Sequence, residues 1–132
     1  GLGLAIGAKL ASPDKMCVNF MGDDAFGMIG LDFETSVRAN LPITTVVLNN
    51  STMAIEIRSM VASQEAYGAR DLGGSYADMG IAMGGYAERV VDPSEVGPAI
   101  QRARRANEEG RAALLEFITS AEQEFSHRGM FS

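Results

Sequence analysis

Four short segments recur along the chain: MCVNFM at 16–21, TTVVL at 44–48, AERVV at 87–91 and ALLEFI at 113–118. Each is mostly apolar or β-branched, and each is separated from the next by helix-like text. Short apolar segments of this length suit strands buried on both faces of a parallel sheet. The intervening text predicts helices over Leu2–Leu10, Leu31–Ala39 and Tyr76–Met83, and from the capping pattern Asp92-Pro93-Ser94-Glu95 to about Asn107. MAIEIRSM, after Asn49-Asn50, reads as a short helix, and Val61–Ser75, rich in Gly, Ser and Ala, reads as loop. Strands alternating with helices predict an α/β fold, a doubly wound parallel sheet with helices on both faces.

The apolar fraction of 46% and charged fraction of 21% are ordinary for a globular domain. The net charge of −6 argues against a nucleic-acid surface. Apolar runs are short and broken by Gly, so no membrane span is expected. The single cysteine, Cys17, allows no disulfide within the chain and suits a reducing, cytoplasmic setting. The chain opens at Gly1, without Met and inside helical text, and is read as a fragment of a longer polypeptide. One domain is expected over residues 1–120, N-terminally incomplete, with a tail over 121–132.

Gly22-Asp23-Asp24 and Asn49-Asn50 both fall at strand carboxyl ends, where ligands of open α/β sheets sit. If the two strands are neighbours, these loops meet. A carboxylate from one and an amide oxygen from the other are hard ligands for Mg²⁺ or Ca²⁺. Mg²⁺ takes only one or two carboxylates and completes its octahedron with phosphate oxygens and water. Backbone N–H groups after Asp23, near a helix start, favour phosphate, and Gly22 and Gly27 allow close approach. The residues therefore describe a metal-bridged diphosphate site.

The stretch GDDAFGMIGLDFETSVRANLPITTVVLNN resembles the motif of thiamine-diphosphate-dependent enzymes: Gly-Asp-Gly, a long spacer, then Asn-Asn. The helix ending VRANLP, the TTVVLNN strand, the opening GLGLAIGAKLASPD and the closing GGYAERVVDPSEVGPAIQRA with ALLEFIT resemble the acetolactate-synthase-like branch. The resemblance implies the family's C-terminal diphosphate-binding domain, with thiamine diphosphate and Mg²⁺ as cofactors. It implies that Asp23 and Asn50 bind Mg²⁺ through their side chains and Thr52 through its carbonyl. Gly22, Asp24, Ala25 and Phe26 would line the diphosphate, and Met53, Ala54 and Ile55 would lie near the cofactor or substrate end. Asp24 departs from the pattern, which has Gly there. A second carboxylate repels a diphosphate, so its side chain is expected to face away.

The substrate implied is a small-molecule 2-oxo acid, decarboxylated with or without carboligation. The family's activating glutamate comes from a separate pyrimidine-binding domain, in the same or a neighbouring chain of a homo-oligomer. No residue here matches its motif, so no catalytic residue is assigned and the chain alone is expected to be inactive. The rival readings are a simple 2-oxo-acid or oxalyl-CoA-type decarboxylase domain, a non-catalytic cofactor-binding or assembly module, and a nucleotide-binding doubly wound domain. The last lacks a P-loop Lys-Ser/Thr. Blander roles are expected elsewhere. Asp32 and Glu34 suit an early helix turn, Cys17 a buried strand position, and Arg102, Arg104 and Arg105 a solvated face balanced by Glu108 and Glu109. Met53, Met60, Met79 and Met83 read as core or interface filling, and His127 as a bystander in the tail.

Overall fold

A computed structural model describes residues 1–122. The expected tail lies outside the described residues apart from Ala121 and Glu122, as does His127. The chain runs α1 (Leu2–Ala11), β1 (Cys17–Gly22), α2 (Asp23–Ile29), α3 (Asp32–Arg38), β2 (Ile43–Asn49), α4 (Val61–Tyr67), α5 (Tyr76–Ala82), β3 (Tyr86–Val90), α6 (Val96–Glu108) and β4 (Ala113–Ile118). The strands form one parallel sheet in the order β1-β2-β4-β3.

Both faces of the sheet carry helices, as the alternation predicts. On one, Leu2, Phe26, Phe33 and Tyr76 from the helices pack against Met21, Ile43, Val47 and Leu114 of the strands. On the other, Ala99 and Ala103 of α6 lie on Val46, Val90, Ala113 and Leu115. The buried stripe of α6 is Ala99, Ala103 and Ala106, small side chains that let the helix approach closely. Ile100, next to Ala99 on the same helix, is 39% exposed.

Several boundaries differ from expectation for identifiable reasons. MCVNFM belongs to an edge strand, not a doubly buried one: burial alternates along β1, and Val18 and Phe20 are exposed. Cys17 is accordingly only half-buried. The expected loop 61–75 contains α4, whose helix-forming VASQEAY ends at Gly68 in the left-handed region, φ 60. MAIEIRSM holds only a three-residue 3-10 turn, Ala54–Glu56. Asp92 caps a 3-10 turn, Pro93–Glu95, by accepting the Ser94 N–H at 2.9 Å and hydroxyl at 2.7 Å; these bonds hold its carboxyl below the usual carboxylate range. Glu95 does not close a capping box but meets Arg102, which also holds Glu88.

Gly30 breaks the helical text after GDD into α2 and α3. A Cβ there would lie 2.5 Å from both the Phe26 ring and the Phe26 carbonyl. Gly30→Ala is therefore expected to destabilise the chain by roughly 1–3 kcal/mol through overpacking. Urea unfolding checks this, and an unchanged midpoint would contradict the contact.

Candidate functional site

In the pairing of β1 with β2, Gly22 lies opposite Leu48, so both strands finish at one level. Their loops meet as the sequence predicts. The Asp23 carboxylate accepts the Asp24 N–H at 3.0 Å on one oxygen and the Ser51 N–H at 2.7 Å on the other. Asp23 is 3% exposed. Among the described residues, no lysine or arginine lies within 4.0 Å of it. Two backbone N–H donors and the start of α2 meet this buried carboxylate.

The second loop is folded by its own side chains. Asn49 accepts the Ser51 N–H at 3.0 Å and hydroxyl at 3.2 Å, and Asn50 accepts the Thr52 N–H at 3.1 Å. Ser51 sits at φ 58, a left-handed conformation that these bonds hold. Thr52 bridges to Asp71, and the Met53 N–H donates to the Arg70 carbonyl, which ties the loop to the segment after α4.

Sequence reasoning missed the residue beneath this loop. Glu116 of β4 is fully buried; one carboxylate oxygen accepts the Asn49 side-chain N–H at 2.7 Å, the other the Ala77 backbone N–H at 2.9 Å. The available signal was a lone charge inside ALLEFI, since a carboxylate in a buried strand needs partners. Tyr76, at the start of α5, was also missed as more than a helix residue. Its ring meets Phe26 edge-on, with centroids 5.4 Å apart. Burial first, then the negative charges of Asp23, Glu116 and Asp24, push its phenol above the ordinary value.

The sign of this effect is testable. Asp23→Asn removes a negative neighbour, favours the phenolate, and is expected to lower the Tyr76 pKa; ring-labelled tyrosine NMR reads it. Tyr86 is likewise raised, by burial and a hydrogen bond to Glu88. Both phenols contribute stability that is complete below about pH 10 and lost as pH rises through the raised folded values.

The other expected site residues divide by setting. Gly22 closes β1 and offers no side-chain cap to α2, and a Cβ on it would meet nothing within 4 Å, so space is open beside it. Phe26 is 1% exposed and its ring belongs to the core, leaving only its backbone for a ligand. Ala25 is half-buried and packs against that core. Met53 and Ala54 are half-buried at the 3-10 turn, while Ile55 is exposed. Asp23 and Asp24 line a cavity of about 520 Å³ together with Phe26, Leu72, Tyr76 and Met79. Asp24 is half-buried at the border of that cavity. The described residues hold no cluster of three or more His, Cys, Asp or Glu side chains able to take a metal. A cation here would rest on one carboxylate with neutral oxygens, and the uncompensated Asp23 fits that role.

The sequence model of the family described as "Thiamine pyrophosphate enzyme, C-terminal TPP binding domain" matches residues 1–117. The chain is 33% identical over 130 residues to a "Probable acetolactate synthase" of Mycobacterium bovis, covering 97% of this chain and 23% of that protein. It is 33% identical over 123 residues to a "Sulfoacetaldehyde acetyltransferase" of Alcaligenes xylosoxydans xylosoxydans, covering 89% and 20%. A solved structure, the Rhodococcus jostii RHA1 thiamine diphosphate-dependent 4-hydroxybenzoylformate decarboxylase, superposes with a TM-score of 0.77 at 22% identity, over 94% of this chain and 23% of that one. That likeness supports the fold. The chain spans less than a quarter of the length of these proteins. With its parallel sheet, its meeting loops and this match over nearly its whole length, the chain belongs to the thiamine pyrophosphate enzymes, as the C-terminal cofactor-binding domain of that family.

Proposed function

We propose that residues 1–120 form the half-site that binds the diphosphate end of thiamine diphosphate through Mg²⁺, within an acetolactate-synthase-like enzyme acting on 2-oxo acids. The observation that carries this is Asp23, buried at the carboxyl end of β1 with no lysine or arginine within 4.0 Å among the described residues, and hydrogen-bonded to the Asn50 loop through Ser51. In this reading, Asp23, the Asn50 side chain and the Thr52 carbonyl hold the ion. The backbone of Gly22 to Phe26 runs beside the phosphates, and Met53, Ala54 and Ile55 border the reacting end. Thiamine diphosphate, when bound, supplies the electron sink for decarboxylation. This chain's residues bind and orient the group. The glutamate that activates it comes from a pyrimidine-binding domain, in the same or a neighbouring chain of a cytoplasmic homo-oligomer.

Calorimetric titration of the chain with thiamine diphosphate, with and without Mg²⁺, tests the reading. Metal-dependent binding supports it, and binding indifferent to Mg²⁺ overturns the metal-bridged arrangement. Pyruvate decarboxylation is expected only after a pyrimidine-binding domain is supplied, and turnover by the chain alone would contradict the half-site.

A second reading rests on Asp24, which borders the same cavity where the family motif has glycine. Its charge repels a diphosphate, as a non-catalytic assembly module would tolerate. Asp24→Gly discriminates: a gain in cofactor affinity of about tenfold, or 1.4 kcal/mol, favours the module, and an unchanged affinity favours the enzyme.

A further inference from the structure

We infer that Glu116 is a positioning residue for the Asp23 site, acting through Asn49 and Ser51. Glu116 makes no hydrogen bond to the loop that carries Asp23. It acts through the direction in which each hydrogen bond is donated. The Glu116 carboxylate can only accept. It takes the Asn49 side-chain N–H at 2.7 Å and so fixes which end of the Asn49 amide faces it. The amide oxygen is thereby turned to Ser51, where it accepts the backbone N–H at 3.0 Å. The same N–H donates to the Asp23 carboxylate at 2.7 Å. An amide turned the other way would present N–H to N–H at Ser51, and the loop would leave the left-handed conformation that aims this donor at Asp23.

The second oxygen of Glu116 ties down the other side of the site. It accepts the Ala77 N–H at 2.9 Å in the first turn of α5. The residue before Ala77 is Tyr76, whose ring abuts Phe26 of α2. One buried side chain thus sets the loop against Asp23 and the helix start that braces α2.

The chemistry of residue 116 is specific. Both of its partners are donors, so a side chain of this length must accept on both oxygens. Gln accepts on one and donates on the other, which leaves one donor facing a donor. Leu would avoid the carboxylate's desolvation cost, which half-exposed Arg89 at 3.8 Å relieves in part, but would leave the Asn49 and Ala77 N–H groups without this acceptor.

The donor directions can be reversed by mutation. Glu116→Gln alone and Asn49→Asp alone each set like groups face to face. Combined, they restore every bond, with the direction of the bond between positions 49 and 116 reversed. The amide introduced at position 116 would donate to the carboxylate introduced at position 49, whose other oxygen would accept the Ser51 N–H. The oxygen of that amide would still accept from Ala77. The readouts, on the whole chain, are hydrogen exchange of the Ser51 amide and affinity for Mg²⁺ with thiamine diphosphate. Each single variant is expected to speed Ser51 exchange and weaken Mg²⁺ affinity about 10–100-fold, the range for partners that orient metal ligands. The double variant is expected to recover most of both. A purely structural cap on α5 predicts no rescue by position 49. A double variant no better than the worse single, or native Ser51 exchange in Glu116→Gln, overturns the inference. If Glu116→Gln does not fold, comparing Asn49→Asp with the double variant decides the matter. The affinity readout alone rests on the proposed metal site. Should the native chain not bind Mg²⁺, that reading fails, and Ser51 exchange still decides the role of Glu116.

Discussion

Asp23→Asn is expected to abolish the thermal stabilisation that Mg²⁺ and thiamine diphosphate together give the native chain, while changing the stability of the unliganded chain only modestly. The two halves of this result have separate causes. A ligand present at a hundred times its dissociation constant stabilises a folded chain by about 2.7 kcal/mol. For a domain of this size, that raises the melting midpoint by roughly 10 °C. Asp23 is the carboxylate around which the proposed ion is held, and an amide in its place leaves only neutral oxygens for a cation. In the unliganded chain the same carboxylate is 3% exposed, has no side-chain cation among the described residues, and accepts one backbone N–H on each oxygen. Asn removes a desolvation cost but sets an amide N–H against one of those two donors, so the effects oppose each other. Scanning calorimetry of both chains, with and without the ligands, reads the two effects together. An Asp23→Asn chain that keeps its ligand-induced shift would remove Asp23 from the metal. One that melts far below native without ligand would make Asp23 a structural cap instead.

Phe33→Ala is expected to cost roughly 3–5 kcal/mol, the range for removing a fully buried aromatic ring. That is a large part of the roughly 5–15 kcal/mol that holds a typical domain together. Phe33 is 0% exposed, in the same core cluster as Leu2, Phe26, Ile43, Val47 and Leu114. The internal control is Phe20, the same side chain on the edge strand but 67% exposed. Phe20→Ala is expected to change stability by no more than about 0.5 kcal/mol in this chain. Urea unfolding of the two variants checks the pair. Equal losses would mean that the outer face of β1 is covered in solution.

Both predictions use residues whose roles the sequence exposed to different degrees. Asp23 was readable because its neighbours in the chain advertise it: an apolar strand, a glycine, and a carboxylate where a strand gives way to a helix. The second loop was readable for the same reason, with Asn49-Asn50 closing TTVVL. Phe33 was legible as part of the helix predicted over Leu31–Ala39. The edge position of β1 was not, because MCVNFM is as apolar as a central strand and pairing order leaves no local mark. The helix over Val61–Tyr67 was hidden by a composition rich in small residues, although Gly68 after it is a helix stop signal.

The sequence alone determined the class of the fold, the number and rough placement of its strands, and the two loops that carry the candidate site. These depend on periodicity and on turn and cap chemistry, interactions within a few residues along the chain. Tertiary structure decided how the loops are joined and what lies under them. The Ser51 N–H reaches Asp23 across 28 positions, and Asn49 reaches Glu116 across 67. No local pattern records such partners. A buried carboxylate is tolerable only where folding brings distant donors to it, so the need for Glu116 arises only once β2 and β4 lie side by side.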